Sequence, residues 1–239
     1  MIVLHLFLLL SSPTYALENA SSFQKMWHKR DLNNTTTTAI LKLEAHSVKN
    51  ADDFDLHWNL ARFYYWAASE ANDSDQAAQL SKKGWDAAEA AKKIRPDRIE
   101  GWYWATANIG RYADSAGTFV TVKEGLSSHY ENNAQQAIKI DPLYDDGGPY
   151  RSLGIYYTKL PWPMQDLDRA RELIDLSLKE NPKRALSLYH YANIQTQAGE
   201  ANAAQKTLES ILTLVPEEGN APEIRRYQAL AHQQLKSNQ

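Results

Sequence analysis

The chain has 239 residues, a formal net charge of −3, and 43% hydrophobic against 23% charged residues. That balance supplies a core, excludes a disordered chain and leaves no basic footprint for nucleic acid or an anionic membrane. Cysteine is absent, which removes disulfides, thiol catalysis and acylation through Cys, and ten glycines are too few for a fold built on tight β-turns or phosphate loops.

Residues 2–10 are apolar except for His5, and small or turn-forming residues follow from Ser11 to Ala16. A run of this length ahead of a small residue reads as a secretory signal peptide, residues 1–16, and is too short to span a bilayer. The expected destination is the periplasm, although no Lys or Arg follows Met1; an uncleaved apolar segment is the alternative. Asn19, Asn33, Asn34 and Asn72 stand in N-x-S/T sequons, which matter only in a eukaryotic secretory pathway. Residues 17–34 read as poorly ordered.

From residue 35 to 235 the pattern is helical. Thr38 to Lys49 forms one amphipathic helix through Ile40, Leu41, Leu43 and Val48. Then Pro96, Pro142, Pro182 and Pro216 each end an apolar-periodic run, at spacings of 46, 40 and 34 residues. The last unit places Leu188, Tyr191 and Ala192 on one helix face, turns at Gly199, and places Ala204, Leu208 and Ile211 on a second. Small Ala192 and Ala204 suit a close helix crossing.

The unit before it runs from Tyr150 through Gly154, Tyr157, Ala170 and Ile174. Its helices are separated by Leu160-Pro161-Trp162-Pro163-Met164, a turn that two prolines keep out of helix, with Asp166 as N-cap of the next. Two earlier units, Trp58 to Pro96 and Trp102 to Pro142, are longer, with additions near residues 70–80 and 110–129. The second addition contains Gly117 to Val122, a β-branched run that reads as a loop or distorted helix, with strand as the lesser alternative. Pro222 to Leu235 reads as a final helix, apolar inward and polar outward, as a solenoid cap requires.

The 34-residue spacing and this pattern resemble the tetratricopeptide repeat. The expected fold is all-α: a right-handed superhelical solenoid of four helix pairs, with an N-terminal helix and a C-terminal capping helix. Three stretches further resemble the T-component proteins of tripartite TRAP-type transporters: Gly101 to Gly110 (GWYWATANIG), Asp145 to Gly154 (DDGGPYRSLG) and Leu160 to Pro163 (LPWP). That resemblance implies a helical envelope protein that assembles with itself and with a periplasmic solute-binding protein, around a cleft for a small, largely apolar organic acid. The chain departs from that family's lipoproteins in having no Cys to acylate.

No H-E-x-x-H, P-loop, G-x-S-x-G or G-x-G-x-x-G occurs, and the seven His are scattered, so no metal, cofactor or catalysis is expected. Asp145-Asp146 ahead of Gly147-Gly148-Pro149 reads as a turn and helix start, or as a loop shaping one rim of a ligand site. In tetratricopeptide repeats the concave groove is lined by first-helix positions one, five and eight or nine after the packing aromatic. Carried onto this sequence, that register gives Asn59, Phe63 and Trp66; Tyr103, Ala107 and Arg111; Arg151, Ile155 and Lys159; and Tyr189 and Asn193. Phe63, Trp66, Tyr103 and Tyr189 then form an apolar wall, Asn193 adds a polar group, and Arg111 and Arg151 offer guanidinium forks to a carboxylate. The expected function is binding: an exported protein handling a small apolar organic acid beside a transport partner. The alternative is an envelope scaffold that holds a peptide in the same groove.

Overall fold

The computed structural model of the chain describes residues 13–237, and for residues 13–20, Thr118, Phe119 and Val122 it describes the backbone only. The signal-peptide reading concerns residues 1–16, of which 1–12 lie outside the described residues. Among the described residues there are eleven helices and no strand. In chain order they are α1 (Pro13–His28), α2 (Thr35–Ser47), α3 (Phe54–Glu70), α4 (Ser74–Ile94), α5 (Ile99–Lys123), α6 (Leu126–Ile140), α7 (Tyr144–Lys159), α8 (Leu167–Glu180), α9 (Ala185–Gln197), α10 (Ala201–Leu212) and α11 (Ala221–Ser237).

Caps and prolines set these boundaries. Asp53 accepts from the amides of Asp55 (2.9 Å) and Leu56 (3.2 Å), Asp73 from Gln76 (2.7 Å) and Asp166 from Arg169 (2.8 Å). Each bond satisfies a first-turn amide that the helix itself leaves open. Pairs α3/α4, α5/α6, α7/α8 and α9/α10 pack against one another and against the next pair, a right-handed tetratricopeptide-type solenoid. α11 covers the last pair through Ile224, Tyr227 and Ala231. Fully buried small residues mark the helix crossings: Ala88, Ala91, Ala134, Ala137, Ala170 and Ala192.

The additions to the two early units are mostly helix, and the second is a distorted helix, one of the two readings the sequence offered. α3 and α4 lengthen to 17 and 21 residues, and α5 to 25. The β-branched run after Gly117 is helical; β-branching costs a helix only tenths of a kcal/mol per residue. The irregularity is confined to Gly117 itself, at φ 83° and ψ 169°.

Residues 17–34 also differ from expectation. Most of them belong to α1, and the rest form a turn through Asn33 and Asn34, both at positive φ. Phe23 is buried, and Trp27 meets Phe63, Trp66 and Trp104 edge-on at centroid separations of 5.4, 6.4 and 5.6 Å. Two aromatic anchors hold a segment whose remaining residues are mostly polar. None of the described helices is long and apolar enough to cross a membrane.

Candidate functional site

The first helices of the pairs, α3, α5, α7 and α9, face inward, and α1 and α11 complete the wall of a chamber of about 1320 Å³. The two ends of the solenoid meet across it. Arg225 on α11 grips Asp31 with Nε–Oδ2 at 2.6 Å and Nη2–Oδ1 at 3.0 Å. Arg226 pairs with Glu70 at the end of α3 and donates to the Ser69 carbonyl at 2.7 Å.

One side of the chamber is aromatic: Trp27, Trp58, Tyr65, Trp66 and Trp104. Two guanidinium groups sit among these rings. Arg30 is 6% exposed and Arg62 is 5% exposed. Arg30 lies over Trp27 (4.1 Å) and Trp66 (4.3 Å), and Arg62 over Trp58 (4.6 Å) and Trp27 (4.9 Å). Arg30 donates to its neighbour's carbonyl, Trp27 O, at 2.9 Å, and Arg62 to Gln24 Oε1 at 3.1 Å. The Nε of each has no partner, and neither forms an ion pair with any described carboxylate.

Burial pushes Arg30 down to about 10, opposed in part by the charge of Glu223, and pushes Arg62 down to about 9. Cation–π contacts contribute up to about 2 kcal/mol when desolvated. Desolvating an ion costs several kcal/mol. The rings alone therefore leave both cations under-compensated.

The opposite side is a closed polar network. Asp145, Asp146 and Gly147 adopt three successive left-handed conformations, φ 53°, 55° and 69°, before the regular part of α7 begins. Arg151, 1% exposed, donates to Asp145 Oδ2 (2.8 Å), the Tyr103 hydroxyl (3.0 Å) and the hydroxyls of Ser177 and Ser187. Tyr103 donates in turn to Asp145 Oδ2 at 2.6 Å. Arg184 bridges Asp145 (2.8 Å), Asp146 (2.8 Å) and Glu223 (2.7 Å). Burial raises the Asp145 carboxyl, but Arg184 and Arg151 outweigh it and hold the group below its ordinary value. The same burial, with the Asp145 charge, drives the Tyr103 hydroxyl well up.

The residues chosen from the repeat register divide between chamber and packing. Trp66, Tyr103, Arg111 and Arg151 line the chamber. The Arg111 Nε donates to Ala68 O at 3.1 Å. Arg151 lines it without offering a free fork, because the protein's own Asp145 takes the place expected for a ligand carboxylate. Phe63 is fully buried behind Trp27. Tyr189 packs on Tyr227 of α11 at 5.4 Å, and Asn193 accepts from Gln234 at 3.0 Å. α11 covers that face of α9, so the neighbouring His190 turns to the chamber instead. Arg30 and Trp27 lie outside the repeat register, in a segment whose polar composition gives no sign of a site. Arg62 carries a signal, a lone charge inside the apolar run Leu60 to Ala68.

Among the described residues no three His, Asp or Glu groups gather to hold a metal ion. His190 is a neutral ring: burial and the charges of Arg151 and Lys159 lower it to about 3.

Residues 22–160, from α1 to the end of α7, match the family described as Regulator of microtubule dynamics protein 1-3. The chain belongs to that family. The matched span, more than half of the 239 residues, carries Arg30, Arg62, Tyr103 and Arg151 and ends before the α9–α11 side of the chamber. No curated protein matches this family member.

A solved structure agrees on the fold. TTC0263, a thermophilic tetratricopeptide-repeat protein of Thermus thermophilus, is similar at a TM-score of 0.64 and 13% identity, over 88% of this chain and 97% of that one. MamA is similar at 0.47 and 14% identity, over 89% and 94%. YrrB, described as a tetratricopeptide-repeat protein with an unusual peptide-binding site, is similar at 0.45 and 14% identity, over 93% and 97%.

Proposed function

We propose that this member of the microtubule-regulator family is a non-enzymatic binding protein whose chamber takes a small, largely apolar organic acid. The observation that carries the reading is the pairing of an aromatic wall with polar groups around a half-open cavity of about 1320 Å³. Small-ligand sites are concave, mostly apolar and fitted with a few convergent polar groups. Native mass spectrometry of the chain purified from its own compartment tests it. A small adduct that leaves on mild activation supports the reading and gives the ligand's mass; a bare protein counts against it.

A second reading, a scaffold for a polypeptide, is favoured by the family's name. That name makes microtubules, or a protein acting on them, the first partner to test, by co-sedimentation with polymerised tubulin. Failure to sediment with the polymer, and no dominant polypeptide in a pull-down, would count against the scaffold. Export belongs to both readings, the second being an envelope scaffold that holds a peptide in the same groove; self-assembly and a solute-binding protein as partner belong to the first. All three rest on residues 2–10 and on the three T-component-like stretches, and fractionation of the native host checks them.

A further inference from the structure

Among the described residues Arg30, Arg62 and Arg151 are buried and Arg184 nearly so, and of these four only Arg151 and Arg184 are matched by carboxylates. Arg151 and Arg184 are tied to Asp145, Asp146 and Glu223. Arg30 and Arg62 are more than nine-tenths buried, face the chamber, and reach no carboxylate; each has an unpartnered Nε. They arrive from different elements, Arg30 from the turn after α1 and Arg62 from α3, yet both lie against the same Trp27 ring. A protein that keeps two like charges together out of water, with donors unspent, has built a place for an anion.

We infer that Arg30 and Arg62 form the anion subsite of the chamber and hold the carboxylate of an organic acid whose apolar remainder lies along Trp27, Trp66 and Trp104. The inference rests on the chamber reading above and replaces Arg151 as the anchoring cation. Beyond the single bond each makes, to Trp27 O and to Gln24 Oε1, the two guanidinium groups keep terminal N–H donors that would meet the two carboxylate oxygens. The tail then meets indole faces rather than water. Trp66, which closes over Arg30, also lies 5.7 Å from the Arg226 guanidinium. The head group therefore sits behind the clasp between the two ends of the solenoid.

The test is isothermal titration calorimetry of the whole chain with dodecanoate and with dodecan-1-ol, which share a tail and differ in charge. The wild-type protein should bind dodecanoate at least about tenfold more tightly, the scale of a charge-assisted hydrogen bond. Arg30→Gln and Arg62→Gln should each erase most of that preference and leave the alcohol's affinity unchanged, which also reports that the variants fold. Arg62→Lys, keeping the charge, should keep part of it. Equal wild-type affinity for the two probes overturns the subsite and leaves the chamber reading standing. Binding of neither probe overturns both. Thermal melting of the ligand-free protein gives an independent readout. Arg62→Met should raise its melting temperature, since it removes an unpaired buried charge. A lower one would mark Arg62 as a packing residue and overturn the assignment.

Discussion

Arg225 and Asp31 stand 194 residues apart in the chain and share a two-pronged ion pair, 2.6 and 3.0 Å, that ties the last helix to the turn after the first. A solenoid is held together by neighbours, so its ends ordinarily do not meet. Here they do, and the concave groove becomes a chamber. Arg226, joined to Glu70 and to the Ser69 carbonyl, is the second half of the clasp.

Exposed ion pairs are worth about 0–1 kcal/mol, so the clasp adds little to global stability. Arg225→Glu with Arg226→Glu is expected to lower the melting temperature by no more than a few degrees. It should accelerate amide exchange in residues 21–34 severalfold, because that segment loses its tie to α11. The effect of high salt on the wild-type protein should run in the same direction. Unchanged exchange in the double variant would mean that Phe23 and Trp27 alone hold the segment.

The Arg151 network makes the opposite case, a buried set of charges whose members all have partners. Arg151→Met leaves Asp145 with Arg184 as its remaining cation and takes one donor away from each of the hydroxyls of Tyr103, Ser177 and Ser187, which keep their bonds to Asp145, Asp146 and one another. Breaking a buried pair from one side costs about 3–5 kcal/mol. The urea midpoint should fall accordingly, and any loss of ligand binding should follow from loss of fold. A folded Arg151→Met protein that has lost only dodecanoate binding would return Arg151 to the role of anion partner.

The solenoid was legible because its signals are local. Proline spacing, alanines at crossings and Asp N-caps act within one or two helices, and they fixed four pairs and both flanking helices. The chamber was legible only in part. The repeat register located Trp66, Tyr103 and Arg111 along the concave face, but it assumes an open groove. In this chain α11 covers Tyr189 and Asn193, and α1 brings in Trp27 and Arg30. The contacts that close the two ends together join residues more than 150 positions apart, and no periodicity encodes them. The register also gives a position, not a partner: it places Arg151 on the wall and says nothing of Asp145 beside it.

His190 gives a pH dependence with a defined sign. Its native value is lowered to about 3, first by burial and then by Arg151 and Lys159. The unfolded ring titrates near its ordinary value of about 6.5. Between these two values the unfolded state binds the extra proton, so stability falls as pH falls, by at most about 1.4 kcal/mol per unit. Above about pH 6.5 the contribution is complete. Asp145 adds a separate loss at lower pH, as acid reaches a carboxylate held below its ordinary value by Arg184 and Arg151. Urea unfolding from about pH 6.5 to about pH 4.5, inside the window those two values set, should show the first slope in the wild-type protein and not in His190→Gln. The same slope in both would place the titrating group elsewhere.

Gly84 tests the packing between the first two pairs. A Cβ there would come 2.1 Å from the Asn108 Oδ1 and 2.6 Å from its Cγ. Asn108 has little freedom to retreat, being fully buried, with its Nδ2 donating to Ala61 O at 3.1 Å and to Trp104 O at 2.8 Å. Gly84→Ala therefore forces either the α4–α5 crossing apart or the amide off its two carbonyls. Overpacking of this kind costs about 1–3 kcal/mol. An isolated helix would instead gain about 1 kcal/mol from the same change. A loss of stability by urea unfolding in Gly84→Ala, largely relieved in the double variant Gly84→Ala with Asn108→Ala, would locate the conflict at this pair. A stabilised single variant would mean that the crossing has slack that these distances do not allow.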